Sequence, residues 1–349
     1  MTTGITVVVP TVGRPSLIPL LAALASAEPG QLPVEILVVD DRAHPAGPLD
    51  VPIGRVVRGR AGGPAAARND GWRAARHDWV AFLDDDVLPD AGWLARLAAD
   101  LTAAAPGVGG VQGRLRVPLP AGRRPTDWER CTAGLAGAAW ITADMAYRRA
   151  ALEAAGGFDE RLPRAFREDA ELAHRVRRSG WSLARGTRTV THPVRPESRW
   201  VSVRNQRGNA DDALLRRLYG RRWRDTLGIP PGRRARHIAV TAAGVVAVGG
   251  ALAAAPARRP AARRALLGAG ALAGAIWAAG TAEFAAARIA PGPRTGPEVG
   301  TMLVTSVLIP PVATAHWLRG WWRWRGAAPV PARACGPVPA TAMASAARR

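Results

Sequence analysis

Up to about residue 200 the chain repeats one unit: a short apolar run without polar alternation, followed by an alanine-rich stretch with helical spacing. "ITVVVP" (5–10) precedes an expected helix over 16–27 that Ser16 is placed to cap. "VEILVVDD" (34–41) and "WVAFLDDD" (79–86) are two further strands, and both end in acid. Between them "GGPAAARNDGWRAAR" (62–76) predicts a glycine-opened helix. "DAGWLARLAADLTAAAP" (90–106) predicts another, stopped at Pro106. Strands that are apolar throughout belong in a sheet covered on both faces, and strand–helix–strand repetition makes that sheet mostly parallel. Such a sheet takes ligands beyond the carboxyl ends of its strands. The acids at 40–41 and 84–86 fall at those ends. Asp84, Asp85 and Asp86 repel one another, so their adjacency asks for a positive partner.

The chain as a whole is basic, with a net charge of +21, and each of its 48 basic residues is an arginine. This suits anionic partners: nucleic acid, lipid headgroups or phosphorylated substrates. Cys131 and Cys335 have no ligand spacing and indicate no disulfide framework, in keeping with a reducing compartment. The N-terminal "MTTGITVVVP" lacks a basic region before its apolar run and reads as a strand, not a signal peptide. A cytoplasmic location is expected for the first 215 residues.

Beyond residue 215 the pattern changes. A basic juxtamembrane linker is expected over 216–237, then a membrane region over 238–318, then a basic, partly disordered tail over 319–349. The apolar runs 238–255, 265–282 and 299–318 approach the ~20 residues that span a bilayer. "WLRGWWRWRG" (317–326) has the arginine–tryptophan character of a membrane interface. Two or three helices cross. Positive-inside bookkeeping favours two, with 238–255 lying in the interface, 265–290 going out, 299–318 returning, and "PGPRTGPE" (291–298) exposed on the far side. A multi-pass protein of the cell membrane follows.

Six motifs occur in order: "VVVPTVGRPS" (7–16), "ILVVDD" (36–41), "GGPAAARN" (62–69), "FLDDDVLPD" (82–90), "AYRRAALEAAGGFDE" (146–160) and "FREDAELAHRVRRSGW" (166–181). Together they resemble the family 2 glycosyltransferases, and the likeness covers roughly residues 4–200. The resemblance implies an α/β GT-A fold, Rossmann-like and nucleotide-sugar-binding, over 1–215. It also implies an inverting, metal-dependent transfer of sugar from a nucleoside-diphosphate donor. The implied cofactor is Mg²⁺ or Mn²⁺, since a hard cation neutralises the diphosphate leaving group through oxygen ligands.

The family's Asp-x-Asp motif matches Asp84-Asp85-Asp86. Asp86 is the direct metal ligand it implies, with Asp84 a further ligand, and Asp84 or Asp85 facing the ribose. His192 in "VTHPVRP" matches an additional metal ligand of some GT-A enzymes. Asp40 or Asp41, with Pro10 and Thr11, implies the nucleoside pocket. Gly63 and Arg68 imply contact with the donor phosphates. Val12-Gly13 departs from the family's commoner Tyr-Asn after Pro-Thr. Asp169, beside Glu168, matches the carboxylate that takes the acceptor's proton. Trp140 and Asp144 are implied on the acceptor side, and 199–217 resembles the arginine-rich stretches that cover donor or acceptor.

The implied acceptor is a glycan or a lipid-linked or cell-envelope saccharide, with a polyprenyl-phosphate glycosyltransferase as an alternative. A nucleotidyltransferase on a similar fold would open with a glycine-rich loop that "TVGRPS" does not provide. A non-catalytic membrane or nucleic-acid binder gains nothing from carboxylates at strand and helix ends, so no nucleic-acid partner is expected.

Overall fold

The computed structural model of the chain describes residues 2–27 and 32–330. Its elements are β1 (Thr2–Thr11), α1 (Leu17–Ala25), β2 (Val34–Asp40), β3 (Arg55–Arg58), α2 (Pro64–Ala74), β4 (His77–Leu83), β5 (Leu88–Pro89) and α3 (Trp93–Thr102). They continue with β6 (Val108–Arg116), α4 (Asp127–Ala133), β7 (Asp144–Arg148), α5 (Arg149–Ala155), α6 (Glu168–Arg178) and β8 (Ser182–Thr191). Six helices complete the described chain: α7 (Val201–Arg204), α8 (Asn209–Tyr219), α9 (Trp223–Leu227), α10 (Arg234–Ala254), α11 (Pro260–Ile289) and α12 (Gly296–Arg323).

The eight strands form one sheet in the order β3-β2-β1-β4-β7-β6-β8-β5. β3, β2, β1 and β4 are parallel, β7 is inserted antiparallel between β4 and β6, and β6 and β8 are again parallel. This is the mostly parallel sheet expected from unalternating strands, with two reversed strands that their composition did not mark, β7 and the short edge strand β5. Side chains of β1 leave to both sides. Val7 and Val9 meet α1 and α3 through Leu20, Leu24, Trp93 and Leu97, while Val8 meets α2 and α6 through Ala65, Trp72, Leu172 and Val176. Burial on both faces explains the absence of polar alternation. The register pairs Thr11 with Asp40 and Val8 with Phe82, which brings the carboxyl ends of β1, β2 and β4 to one edge.

Local expectations fail at three places. Ser16 stands before α1 but does not cap it, because its backbone is already helical (φ −64°, ψ −18°) and its hydroxyl makes no capping bond. β4 ends at Leu83, so the three aspartates occupy the turn after the strand. Residues 216–237 are not a linker. The end of α8, α9 and Ile229 form a third apolar cluster in which Leu218, Trp223 and Leu227 are buried with Leu162, and Trp324 and Val330 pack against it.

α10, α11 and α12 are long and apolar enough to cross a membrane, by length and composition. α10 and α11 lie side by side through small residues; a methyl on Gly250 would come within 2.9 Å of the Leu266 carbonyl oxygen. Residues 291–298, expected to be exposed on the far side of the membrane, lie instead against the domain built on the sheet. The Arg130 guanidinium donates to the Arg288 carbonyl at 2.8 Å, Arg124 donates to the Ala290 carbonyl at 3.2 Å, and the Asp127 N–H donates to Glu298 at 2.9 Å. The loop between α11 and α12 therefore sits against α4. The tail from residue 331, with Cys335, lies outside the described residues.

Candidate active site

The two acids at the end of β2 differ. Asp40 is paired with Arg42 at 2.8 Å and with Arg58 at 3.2 Å. The Arg42 hydrogen bond holds its carboxyl below the usual range. Asp41 faces a turn of backbone N–H groups. Gly63 donates to its Oδ2 at 2.9 Å, while Oδ1 is buried without a partner. Burial raises its pKa, against the pull of the Gly63, Gly62 and Ala61 amides. Gly59 lies so close that a side chain there would stand 2.8 Å from Asp41 Oδ1. A buried acceptor without a donor is uncommon in a folded protein, and a water, an ion or a ligand N–H or O–H can each satisfy it.

The turn after β4 holds three carboxylates in three different settings. Asp85 is fully buried and fixed to the end of β1, where it accepts from Thr11 at 2.7 Å and Arg14 at 2.6 Å. Asp84 is the most open, 28% exposed, and accepts from Arg68 at 2.7 Å. Asp86 stands 3.6 Å from His192 Nε2 and 3.1 Å from Arg195 Nε. Burial, then Asp84, raises its pKa. His192 Nδ1 lies 3.0 Å from the Pro193 carbonyl. If that nitrogen holds the ring proton and donates it, the Nε2 lone pair is directed toward Asp86.

Arg68 does not reach open space, contrary to expectation. Its side chain is 2% exposed and bridges Glu168 at 2.8 Å to Asp84 at 2.7 Å. It thereby ties the turn after β4 to the start of α6. Arg167, immediately before α6, holds a left-handed backbone (φ 76°). That kink sets Glu168 and Asp169 in the first helical turn, where the helix dipole favours carboxylates. Glu168 is buried, its Oε2 has no partner, and burial followed by Asp169 pushes its pKa up to about 8. Asp169 is half-buried, Oδ1 accepting from the Ala170 N–H at 2.7 Å, and burial raises its pKa too. Gly63 (φ 87°) lies directly under Pro163, whose carbonyl oxygen would be 2.3 Å from a methyl at Gly63. Residues 62–63, 84–86 and 163–169 are thus one contiguous structure.

Asp144 and Trp140 are placed differently from expectation. Asp144 is buried, and its oxygens accept from Arg188 at 2.7 Å and Trp93 at 2.9 Å, so it serves the interior. Trp140 is half-buried in a left-handed turn, with Arg185 over its ring. Pro10 pairs with Val39 at the end of β1, one residue before Thr11. The arginines that hold the acids, Arg14, Arg42, Arg58 and Arg195, were not singled out from sequence. Arg195 carried one usable signal, its place three residues after His192 in the same loop.

Residues 6–128 match the family model described as glycosyl transferase family 2. A segment of 109 residues is 29% identical to a hyaluronan synthase of Pasteurella multocida, covering 28% of this chain and 11% of that protein. Thirty-five residues are 63% identical to a pre-mycofactocin glycosyltransferase of Mycobacterium tuberculosis, covering 10% of this chain and 7% of that one. The matched stretches are thus small parts of both relatives. Among solved structures, the mannosyltransferase PcManGT from Pyrobaculum calidifontis, in complex with GDP-Man and Mn²⁺, is 20% identical with a TM-score of 0.42, over 91% of this chain and 87% of that one. Residues 6–128, from β1 into α4, thus match glycosyl transferase family 2, set in a mostly parallel α/β sheet.

Proposed function

We propose that this protein transfers a sugar, with inversion, from a nucleoside-diphosphate sugar to an acceptor hydroxyl at the cytoplasmic face of a membrane. The observation that carries the reading is the convergence on one sheet edge of three acids with separate tasks. Asp41 has an unused buried oxygen for the nucleoside, Asp86 stands with His192, and Asp169 opens α6.

The residues present fit a hard divalent cation. Asp86 and His192 offer an oxygen and a nitrogen 3.6 Å apart, and Arg195 is ion-paired to Asp86 at 3.1 Å. Among the described residues no three His, Cys, Asp or Glu side chains gather as a complete cage. Mg²⁺ and Mn²⁺ keep waters and substrate phosphates among their ligands, so two protein ligands would suffice for either. When bound, the cation supplies charge neutralisation of the diphosphate leaving group. Asp86 and His192 would hold it, with Asp84 as a further carboxylate in the same turn.

Asp169 takes the acceptor's proton as the hydroxyl displaces the nucleotide, and the raised direction of its pKa brings it closer to the working pH of a base. Glu168 and Arg68 position it. A membrane-borne acceptor, such as a lipid-linked saccharide or polyprenyl phosphate, is favoured by a chain of contacts. Phe166 of the loop before α6 packs on Gly208, and Ala210 just beyond supports Gly320 of α12.

A thermal-shift screen of UDP-, GDP- and dTDP-sugars, with Mn²⁺, Mg²⁺ or chelator, tests the proposal. One nucleotide should stabilise the protein, and only with the metal. No shift with any of the three would overturn it.

A further inference from the structure

Both ends of α12 rest on the catalytic domain. Near its start Glu298 accepts from the Asp127 N–H of α4 at 2.9 Å. Thr305 and Ser306 accept from Arg288, whose other nitrogen reaches Asp127 at 2.7 Å and Ser202 of α7 at 3.1 Å. Near its end Gly320 lies against Ala210 of α8, so closely that a methyl there would stand 2.4 Å from the Ala210 carbonyl oxygen. Arg217 of α8 covers the Trp321 ring at 3.4 Å, and the Val330 N–H donates to the Leu218 carbonyl at 2.9 Å.

At ~1.5 Å per residue, roughly 33 Å of helix separates Glu298 from Gly320. The hydrocarbon core of a bilayer is about 30 Å thick. An α12 standing upright across it would put α4 and α8 on opposite sides of the membrane. α4 carries Asp127 and Glu129, and α8 carries Asp211 and Asp212, ion-paired to Arg164, Arg167 and Arg224. A domain with such groups does not straddle lipid.

We propose that α12 does not cross the membrane but lies along its surface, seating the catalytic domain on the bilayer, while α10 and α11 cross as a helical hairpin. The helix has the two faces this requires. Met302, Thr305, Ile309, Ala313, Trp317 and Gly320, three or four apart, are buried toward the protein. Leu303, Val304, Val307, Leu318 and Trp322 are exposed on the other side. Arg319, Arg323 and Arg325 sit among the tryptophans of its end, where lipid phosphates are met.

The hairpin stands on this base. Thr241 meets Thr314 at 3.3 Å, and Arg234 covers the Trp317 ring at 4.0 Å. α10 and α11, of 21 and 30 residues, are long and apolar enough to span, by length and composition. Outside the pair, Val245, Val248, Leu252, Leu272 and Ile276 are exposed among the described residues. The tip carries Arg258, Arg259, Arg263 and Arg264, four arginines on the far side. The catalytic end has eight between 216 and 236, so the bias still orients the hairpin.

Cysteine labelling of the full chain tests this, after Cys131 and Cys335 are replaced by serine. Ala261→Cys at the tip, Thr295→Cys between α11 and α12, and Ala328→Cys beyond α12 are treated with a membrane-impermeant maleimide, before and after permeabilisation. The expected result is labelling at 261 in intact cells, and at 295 and 328 only after permeabilisation. Labelling of intact cells at 328 means that α12 crosses, and labelling at 295 means that α11 exits on the far side. Protection of 261 means that the hairpin does not span. Each of these overturns the proposal. Ala257→Cys and Gly326→Cys provide second positions at the tip and the tail, so that one poorly folding variant does not decide the outcome.

Discussion

Arg68→Met is the most informative perturbation of the site, because its cost should depend on pH. Arg68 is buried between Asp84 and Glu168 and donates to both. Burial and Asp169 push the Glu168 carboxyl up to about 8, well above the ~4.3 of an unfolded glutamate. A carboxyl raised in this way favours the folded state at low pH, and that contribution is lost as pH climbs from about 4.3 through about 8. At pH 6, with Glu168 protonated, Arg68→Met loses chiefly its charged hydrogen bond to Asp84, about 1.5–3 kcal/mol. At pH 9 Glu168 is ionised, and removing its partner strands a buried charge, at about 3–5 kcal/mol. The apparent melting midpoint of the detergent-solubilised chain, followed by tryptophan fluorescence, should fall by about 2–4 °C for each kcal/mol. The loss should be clearly larger at pH 9, and Glu168→Gln in the same chain should remove the difference. Equal losses at both pH values, or no rescue by Glu168→Gln, would refute the reasoning.

Further predictions address the other groups. Asp86→Ala should abolish metal-dependent donor binding, as should chelator on the unmutated chain; calorimetric binding of the donor unchanged by either removes the cation from this site. Asp41→Ala should weaken nucleotide binding roughly 10–100-fold, the worth of about 1.5–3 kcal/mol for a hydrogen bond to a charged group, and unaltered affinity would exclude Asp41 from the nucleoside pocket. Gly320→Val should cost about 1–3 kcal/mol by overpacking α12 on the Ala210 backbone. Its control, Gly326→Val, meets no atom within 4 Å and should leave the melting midpoint unmoved.

What could be read from the sequence followed from period and position. Unalternating strands gave a covered parallel sheet, and acids at strand ends gave the location of the site, because both are local consequences of burial. The antiparallel β7 was not legible, since "DMAYR" is as buried as its neighbours and direction leaves no mark on composition. The arginine partners were hidden by abundance. In a chain with 48 arginines no single one stands out, and Arg14 or Arg195 acquires meaning only when folding brings it to a carboxylate. Asp144 is implied on the acceptor side by resemblance alone, and Arg188, itself fully buried, draws it inward. α12 is long and apolar enough to cross, as its composition indicates. The buried stripe from Met302 to Gly320 was present in the sequence, yet small residues such as Gly320 and Ala313 carry no hydrophobic signal of their own.

The role of Asp169 is the central claim, and Asp169→Asn tests it most directly when donor binding and sugar transfer are measured on the same preparation. The substitution keeps the side chain's size and the helix start while removing the base. Donor affinity should stay within about two-fold, because no donor contact is assigned to Asp169, and the transfer rate at saturating donor should fall by about 10²–10⁴-fold, the usual contribution of a general base. A variant that binds donor poorly yet turns over at the original rate once saturated would contradict the account, making Asp169 a donor contact and leaving the acceptor's proton to another group.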